Sequence, residues 1–235
     1  MTAVGLLFPG EMGAAVGRAV QGDVLWASEG RSEATRERAA AFTDAGSVKE
    51  LVRSSEVILS ICPPAIAETV AEEVFGAGFD GLYVEANAIS PARMRRIAEL
   101  GPRLVDGSII ASNGIHLYLA GEGSDEIAAL FAGSEVRAIP LEAEIGAASA
   151  LKMAFGGWNK IGIALTAQAR AIALEFGVQS WLDEEGVPAD RLSRVADRAW
   201  RWAPEMDEVA ATCADIGLHD ALPRAAAEFY RDLAS

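Results

Sequence analysis

The first candidates for chemistry in this sequence are the glycines between an apolar strand and an Ala-rich helix. The run Val4–Phe8 leads into Pro9-Gly10-Glu11-Met12-Gly13, and a helical stretch follows. At such a junction the N–H groups of the helix start bind phosphate, and glycine permits close approach. Gly10 and Gly13 match the second and third glycines of the G-x-G-x-x-G fingerprint. We predict that residues 9–13 bind a dinucleotide pyrophosphate; the alternative is an ordinary βα turn.

Phe8 occupies the first glycine position of that fingerprint. Residues with a Cβ are disfavoured at positive φ, where glycine is normally found. We therefore expect Phe8 to avoid the left-handed turn, and Pro9 to stiffen the loop in a different way.

The loop after the second predicted strand would lie beside the adenosine ribose. It contains both Glu29 and the pair Arg31-Ser32. An acid at this place binds the 2′-hydroxyl of NAD, whereas an arginine with a hydroxyl holds the 2′-phosphate of NADP. We favour NADP, with NAD as the alternative cofactor, because Arg31 and Ser32 begin the next predicted helix. A solvated surface charge is the other interpretation of Arg31.

A lysine is the candidate acid or base. Of the 20 cationic side chains only three are lysines, at positions 49, 152 and 160. A lysine ammonium can give a proton to the product of hydride addition to C=O or C=N, and burial tunes its pKa, whereas arginine stays protonated. Lys152 and Asn159 share one helix face about 10 Å apart, and Gly156 between them leaves room for a substrate. The alternative is that Lys152 snorkels to solvent; Lys160 is expected to be a solvated charge.

Strands and helices that alternate must position these residues. Strands are predicted at Val4–Phe8, Val24–Ala27, Val57–Ile61, Leu82–Glu85, Arg103–Asp106, Ile115–Ala120 and Val136–Ile139. Helices are predicted between them at Met12–Val20, Ser32–Ala41, Val48–Ser54, Ala65–Phe75, Pro91–Leu100 and Asp125–Phe131. This alternation predicts an α/β domain with a Rossmann-type, doubly wound, mainly parallel sheet over residues 1–140.

Residues 141–235 show helical periodicity and no strand pattern, which predicts a small all-α domain. Its helices are expected at Glu144–Phe176, Trp181–Glu185, Pro188–Trp202, Pro204–Ile216 and Asp220–Leu233, with the two prolines in first turns. The longest helix carries an apolar stripe that contains Leu151, Phe155, Trp158, Leu165, Ile172 and Phe176.

Composition limits the function classes. The net charge of −14 argues against nucleic acids and anionic membranes as partners. The sequence has neither an apolar run of membrane length nor a signal-peptide pattern, so we expect a cytoplasmic protein. Two distant cysteines predict neither a disulfide framework nor a metal site.

Four segments, in this order, resemble the superfamily of β-hydroxyacid and 6-phosphogluconate dehydrogenases. They are Gly5–Gly13, which is similar to the family's G-L-G-x-M-G opening, Ile61-Cys62-Pro63-Pro64, Glu85-Ala86-Asn87 up to Pro91, and Asp106-Gly107-Ser108-Ile109-Ile110. Residues 146–159 are similar to the helix that carries the family's catalytic lysine. The branch with a shortened helical domain, phosphogluconate-dehydrogenase-like and of unknown function, is the most similar.

The resemblance implies roles for individual residues. Cys62, Pro63, Pro64 and Asn87 would lie beside the cofactor, and Lys152 would be catalytic. Ser108 would contact the substrate and assist catalysis, and Ser112 and Asn113 could help it to hold a carboxylate, although turn capping is the alternative for all three. The family's asparagine four residues after the lysine is replaced by Gly156, and Asn159 could substitute for it.

Together these patterns predict an NADP-dependent oxidoreductase that acts on a small hydroxy acid or carbonyl compound. Two alternatives stay open: an imine reductase of the same fold, and a cofactor-binding regulatory protein without turnover. The resemblance also implies a homodimer formed through the helical domain, since a domain of about 95 residues has a limited core of its own.

Overall fold

The computed structural model describes residues 2–189 and 195–234. The chain divides into two compact units, Met1–Lys152 and Met153–Ser235. The boundary predicted at 140/141 coincides with the end of the last strand, whereas the division into units follows Lys152 on the next helix.

An eight-stranded sheet forms the first unit. Its strands are β1 (Ala3–Leu7), β2 (Asp23–Trp26), β3 (Thr43–Asp44), β4 (Val57–Ser60), β5 (Leu82–Glu85), β6 (Leu104–Ala111), β7 (Ile115–Ala120) and β8 (Val136–Pro140). The spatial order is β3-β2-β1-β4-β5-β6-β7-β8. β1 to β6 run parallel, β7 is antiparallel to β6, and β8 is parallel to β7. The order 3-2-1-4-5-6 is that of a Rossmann fold, so the predicted fold class is confirmed.

Short helices connect the strands: α1 (Glu11–Ala19), α2 (Glu33–Arg38), α3 (Val48–Ser54), α4 (Ala67–Gly76), α5 (Pro91–Ala98) and α6 (Ser124–Ala129). Apolar side chains on the sheet are buried in two clusters, one containing Val4, Leu6 and Val57, the other Leu7, Ile58 and Tyr83. The consecutive residues Leu6 and Leu7 of β1 therefore belong to different clusters, as expected of a strand whose two faces are both covered.

The strand register marks the carboxyl edge of the parallel sheet. Leu7 pairs with Ser60, Ser60 with Glu85, and Glu85 with Asp106. The strand order reverses between β1 and β4. Ligands of open α/β sheets bind at such a switch point, outside the carboxyl ends of the strands.

Two strand predictions need correction. β3 was not predicted, because two exposed residues carry no periodic pattern and are defined only by pairing with β2. The strand predicted to end at Asp106 continues to Ala111, because Gly107 and Ser108 belong to a hairpin with β7.

Long helices follow the sheet: α7 (Ala147–Glu175), α8 (Gln179–Glu184), α9 (Val195–Asp215) and α10 (Ala221–Ala234). The prediction that Pro204 begins a separate helix is wrong, since Pro204 lies inside α9. Ala203 before it and Met206 after it are both buried, so packing holds the helix together at this point. The helix predicted over 188–202 falls partly outside the described residues.

Much of the apolar stripe predicted on the long helix is exposed. Trp158, Leu165 and Ile172 on α7 are each more than 60% exposed, and so is Phe176. Within residues 2–189 and 195–234, no helix combines the length and apolarity needed to cross a membrane.

Candidate functional site

The loop between β1 and α1 has the geometry of an anion site. Gly10 is the N-cap of α1, and no side chain caps the helix, so the N–H groups of its first turn need external acceptors. A Cβ on Gly10 would have Phe8 O, 4.0 Å away, as its nearest neighbour, so one side of the loop is open. At Gly13 a Cβ would lie 2.7 Å from Phe8 O. Glycine is required there for the loop to close over the helix.

Phe8 adopts the conformation that it was expected to avoid. Its φ is +60°, and Gly10 N donates to Phe8 O at 2.7 Å. The tight turn that normally uses glycine is thus made by phenylalanine, at a cost of about 1–3 kcal/mol. The geometry of the βα turn therefore determines the φ of Phe8, against the usual preference of phenylalanine for negative φ.

Arginines approach this loop from the segment after β2. The guanidinium carbon of Arg31 lies 3.7 Å from the centroid of the Phe8 ring, and Arg31 Nε is buried with no hydrogen-bond partner among the described residues. Burial lowers the pKa of Arg31, while Glu73 and Cys62 raise it. Arg38 Nε donates to Pro9 O at 3.5 Å, a contact that the sequence analysis missed.

Ser32 does not belong to the helix that it was predicted to begin. It is the N-cap of α2, and its Oγ accepts from Thr35 N at 3.3 Å. The hydroxyl therefore already has a structural role beside Arg31, and its contact with a 2′-phosphate stays a prediction.

A buried polar network occupies the carboxyl ends of β4 and β5. Asn87 Oδ1 accepts from Cys62 N at 2.5 Å, and Asn87 Nδ2 donates to Ser60 Oγ and to Cys62 Sγ, each at 3.2 Å. Asn87 Nδ2 also donates to Glu85 Oε1, and Tyr83 Oη donates to Glu85 Oε2 at 3.2 Å. The amide of Asn87 thus fixes the start of the Cys62-Pro63-Pro64 loop. The contact of Asn87 and of loop residues 62–64 with a cofactor stays a prediction.

Burial dominates the ionisation of this network. Glu85 is fully buried, which raises its pKa to about 8 against the hydrogen bonds from Asn87 and Tyr83. Burial, followed by the negative charge of Glu85, raises the pKa of Cys62 to about 12. Near neutral pH the thiol is protonated and Glu85 is largely an uncharged acid.

Pro64 is held from a neighbouring helix. Residues Pro64–Ile66 form a 3-10 turn, and Arg93 of α5 donates to Pro64 O at 2.9 Å. The loop after β4 is therefore anchored at both ends.

Asp106 holds the start of α7 against the sheet. Its buried carboxylate accepts from Gly146 N at 2.8 Å, from Ala148 N at 3.0 Å and from Ser149 Oγ at 2.6 Å. A carboxylate at a helix N-terminus satisfies unpaired N–H groups and complements the helix dipole. Burial raises the pKa of Asp106, and these hydrogen bonds oppose the rise.

Lys152 lies one turn further along α7 and reaches β6. Its Nζ donates to Ile109 O at 2.8 Å, and the side chain is half-buried. Ile109 follows Asp106 by three residues along β6. The amine therefore lies about 10 Å beyond Asp106, the residue of β6 that pairs with Glu85 at the carboxyl edge of the sheet.

The predicted substrate residues are separated by the hairpin. Ser108 is fully buried in β6, and its Oγ has no hydrogen-bond partner in the described part of the chain. Ser112 and Asn113 lie in the exposed turn between β6 and β7. The structure does not bring Ser112 and Asn113 to the buried hydroxyl of Ser108, and the substrate roles of all three stay predictions.

In the second unit the expectation for Lys160 is wrong. Lys160 is only 7% exposed, and its Nζ is 2.8 Å from Glu205 Oε1. The room expected beside Gly156 is also taken, since a Cβ there would lie 2.8 Å from the same oxygen. Glycine at position 156 therefore accommodates Glu205. Asn159 is half-buried on α7, within the second unit.

These features fit a dinucleotide and give no indication of a metal. The open side of Gly10, the uncapped start of α1 and the unpaired Arg31 Nε suit a phosphate-rich ligand. Among the described residues, no group of three His, Cys, Asp or Glu side chains could hold a metal ion.

The comparisons with other proteins begin with sequence. Residues 176–233 match a family that is described as a domain of unknown function, DUF1932. No curated protein is a significant match to the sequence.

Solved structures match the whole chain. The conserved protein MTH1747, of unknown function and structurally similar to 3-hydroxyacid dehydrogenases, is 26% identical over 98% of this chain and 96% of its own, with a TM-score of 0.74. Mycobacterium tuberculosis 3-hydroxyisobutyrate dehydrogenase is 16% identical over 100% and 94%, with a TM-score of 0.77. An imine reductase variant from Myxococcus stipitatus, in complex with NAD+, is 18% identical over 98% and 93%, with a TM-score of 0.52. The chain therefore has a β-hydroxyacid dehydrogenase-like fold, a Rossmann-type unit followed by helices, as its motifs predicted.

Proposed function

We propose that this protein is an NADP-dependent oxidoreductase that transfers a hydride between the nicotinamide and a small hydroxy acid or carbonyl compound. Lys152 would be the general acid in reduction and the general base in oxidation. The fold that it shares with hydroxyacid dehydrogenases and an imine reductase supports the reaction class.

The position of Lys152 carries the proposal. Its Nζ is held 2.8 Å from Ile109 O, beyond the row Leu7-Ser60-Glu85-Asp106. The loop of residues 8–13 leaves β1 at the same edge, so the amine and the phosphate loop belong to one side of the sheet.

The proton chemistry follows from the amine. A nicotinamide dinucleotide bound at residues 9–13 would supply the hydride for the carbonyl carbon of the substrate. The Lys152 ammonium would give its proton to the carbonyl oxygen as the C=O bond becomes a C–O–H group, and in the reverse direction the neutral amine would take that proton back. The backbone carbonyl of Ile109 orients the amine, and Asp106 orients the helix that bears it. Ser108, in the same unit as Lys152, would assist at the substrate.

The preference for NADP rests on Arg31. In a protein of net charge −14, a phosphate needs local cations. Arg31 lies against the phosphate loop over the Phe8 ring, and Arg38 reaches Pro9 O. Since the imine reductase variant holds NAD+, NADH is the comparison cofactor in every test.

The test compares Lys152→Met with Lys49→Met. Lys49 is an exposed lysine of α3, so its replacement controls for the loss of a positive charge. We expect turnover with NADPH on a panel of keto acids to fall at least about 100-fold in Lys152→Met. The dissociation constant for NADPH should stay within about twofold, and Lys49→Met should resemble the wild type.

Other outcomes distinguish the alternatives. Equal turnover in Lys152→Met would exclude Lys152 from proton transfer. Turnover of cyclic imines and not of keto acids would indicate the imine reductase. Tight NADPH binding with no turnover on either panel would indicate the regulatory protein.

We also propose a homodimer formed by the helices after the sheet. Trp158, Leu165 and Ile172 recur every seven residues along α7 and are strongly exposed, which gives an apolar stripe about 21 Å long. Sedimentation should give twice the chain mass of 24.7 kDa. Leu165→Glu should produce monomers, whereas Leu100→Glu, at an exposed apolar residue of the first unit, should not. A monomeric wild type would refute this proposal.

A further inference from the structure

Phe8 combines strain with a specific contact. In residues 2–189 and 195–234 it is the only non-glycine residue at positive φ. Its half-buried ring packs against the cluster that contains Leu7, Ala27 and Cys62. Glycine would make the same turn without strain, so the turn itself does not explain the phenylalanine.

The ring supports a cation. Arg31 CZ lies 3.7 Å from the ring centroid, well inside the distance at which a guanidinium is attracted to an aromatic face. The neighbouring arginines are held differently: Arg36 donates to Ser28 O at 2.8 Å and Arg38 to Pro9 O at 3.5 Å. The Phe8 ring is thus the support that orients Arg31, whose Nε has no acceptor in the part of the chain that the structure describes.

We infer that Phe8 is a positioning residue for cofactor specificity. It holds the guanidinium of Arg31 beside the phosphate loop, ready for a phosphomonoester on the adenosine ribose. An arginine loses considerable rotamer freedom when it binds a phosphate, and a guanidinium that is already stacked has lost part of it beforehand. The ring should therefore strengthen binding of the 2′-phosphorylated cofactor alone. This inference rests on the proposed function, since it concerns the same cofactor site.

The experiment measures dissociation constants for NADPH and NADH by fluorescence titration. Phe8→Leu keeps an apolar side chain in the same strained backbone but removes the aromatic face. We expect its NADPH dissociation constant to rise five- to tenfold while that for NADH changes less than twofold; tenfold corresponds to about 1.4 kcal/mol. Phe8→Tyr, which retains the ring face, should recover most of the lost affinity. Phe42→Leu, at a half-buried phenylalanine that packs on the other cluster, is the matched control.

A double-mutant cycle tests whether the effect passes through Arg31. In an Arg31→Ala background, Phe8→Leu should change the NADPH dissociation constant less than twofold. A full effect in that background, or equal losses for NADPH and NADH, would overturn the inference and leave the proposed function standing. A wild type that binds neither cofactor would overturn the proposed function, and the inference with it.

Discussion

Replacement of Glu85 by glutamine should change how the stability of the protein depends on pH. Glu85 is fully buried between Tyr83 and Asn87, and burial raises the pKa of its carboxyl from 4.5 to about 8. Glutamine has nearly the shape of the protonated acid. Its oxygen can accept from Asn87 and its amide can donate to Tyr83 Oη, so the variant imitates the uncharged form at every pH.

The sign and the size of the effect follow from linkage. Between pH 4.5 and about 8 the native state holds a proton on Glu85 that the unfolded chain has lost. The free energy of unfolding therefore falls as pH rises through this range, and levels off above it. At about 1.36 kcal/mol per pH unit, the loss between pH 4.5 and 8 amounts to about 4 to 5 kcal/mol. Glu85→Gln does not incur this loss.

The difference in the free energy of unfolding between the variant and the wild type is measured by urea titration at pH 4.5, 7 and 9, with circular dichroism as the signal. Near pH 4.5 the variant and the wild type should be about equally stable, and at pH 9 the variant should be more stable by several kcal/mol. The raised pKa of Asp106 is common to both proteins, so it cancels in the difference. Parallel stability profiles over this range would show that Glu85 is ionised in the native protein, and would refute the reasoning.

Three further substitutions test the packing that positions the site, each by urea unfolding. Asp106→Asn should lower the free energy of unfolding by about 2–4 kcal/mol, because one amide oxygen replaces a carboxylate that serves Gly146, Ala148 and Ser149; an unchanged value would contradict the capping role. Gly156→Ala should destabilise the protein by about 1–3 kcal/mol, because the new Cβ would lie 2.8 Å from Glu205 Oε1. The control Gly162→Ala places a Cβ with nothing within 4 Å and should stabilise the protein by up to about 1 kcal/mol. Equal effects of the two substitutions would be inconsistent with the contact at Gly156. Lys160→Met should cost about 3–5 kcal/mol because it removes the ammonium that pairs with the buried carboxylate of Glu205, and Lys160→Met combined with Glu205→Leu should cost less; a double variant as unstable as the single one would count against the pair.

Local patterns were sufficient to predict the architecture. Alternating apolar strands and amphipathic helices indicated the parallel sheet, and the span of β5 was predicted without error. Residue type and helix position indicated Lys152 as the candidate acid or base, but its hydrogen bond to Ile109 O of β6 was seen only in the structure.

Distant partners could not be predicted in the same way. Lys160 and Glu205 are 45 residues apart and Asp106 and Ser149 are 43 apart, so no local spacing marks either pair. For an isolated lysine, solvation is the usual expectation, and only the packing of α9 beside α7 places a carboxylate near Lys160. β3 illustrates the same limit, because its two residues become a strand only through their neighbour β2.

At the carboxyl edge of the sheet, some polar side chains hold the backbone in place, and others are proposed to contact ligands. The motif residues Asn87 and Asp106 are buried and bind backbone N–H groups, of the Cys62 loop and of the start of α7 respectively. These two side chains fix where the loop lies and where the helix begins. In the function that we propose, direct contact with ligands would fall to the uncapped start of α1, the stacked guanidinium of Arg31 and the amine of Lys152. Substitutions of the first kind should change stability and activity together, whereas substitutions of Arg31 or Lys152 should change binding or turnover at nearly constant stability.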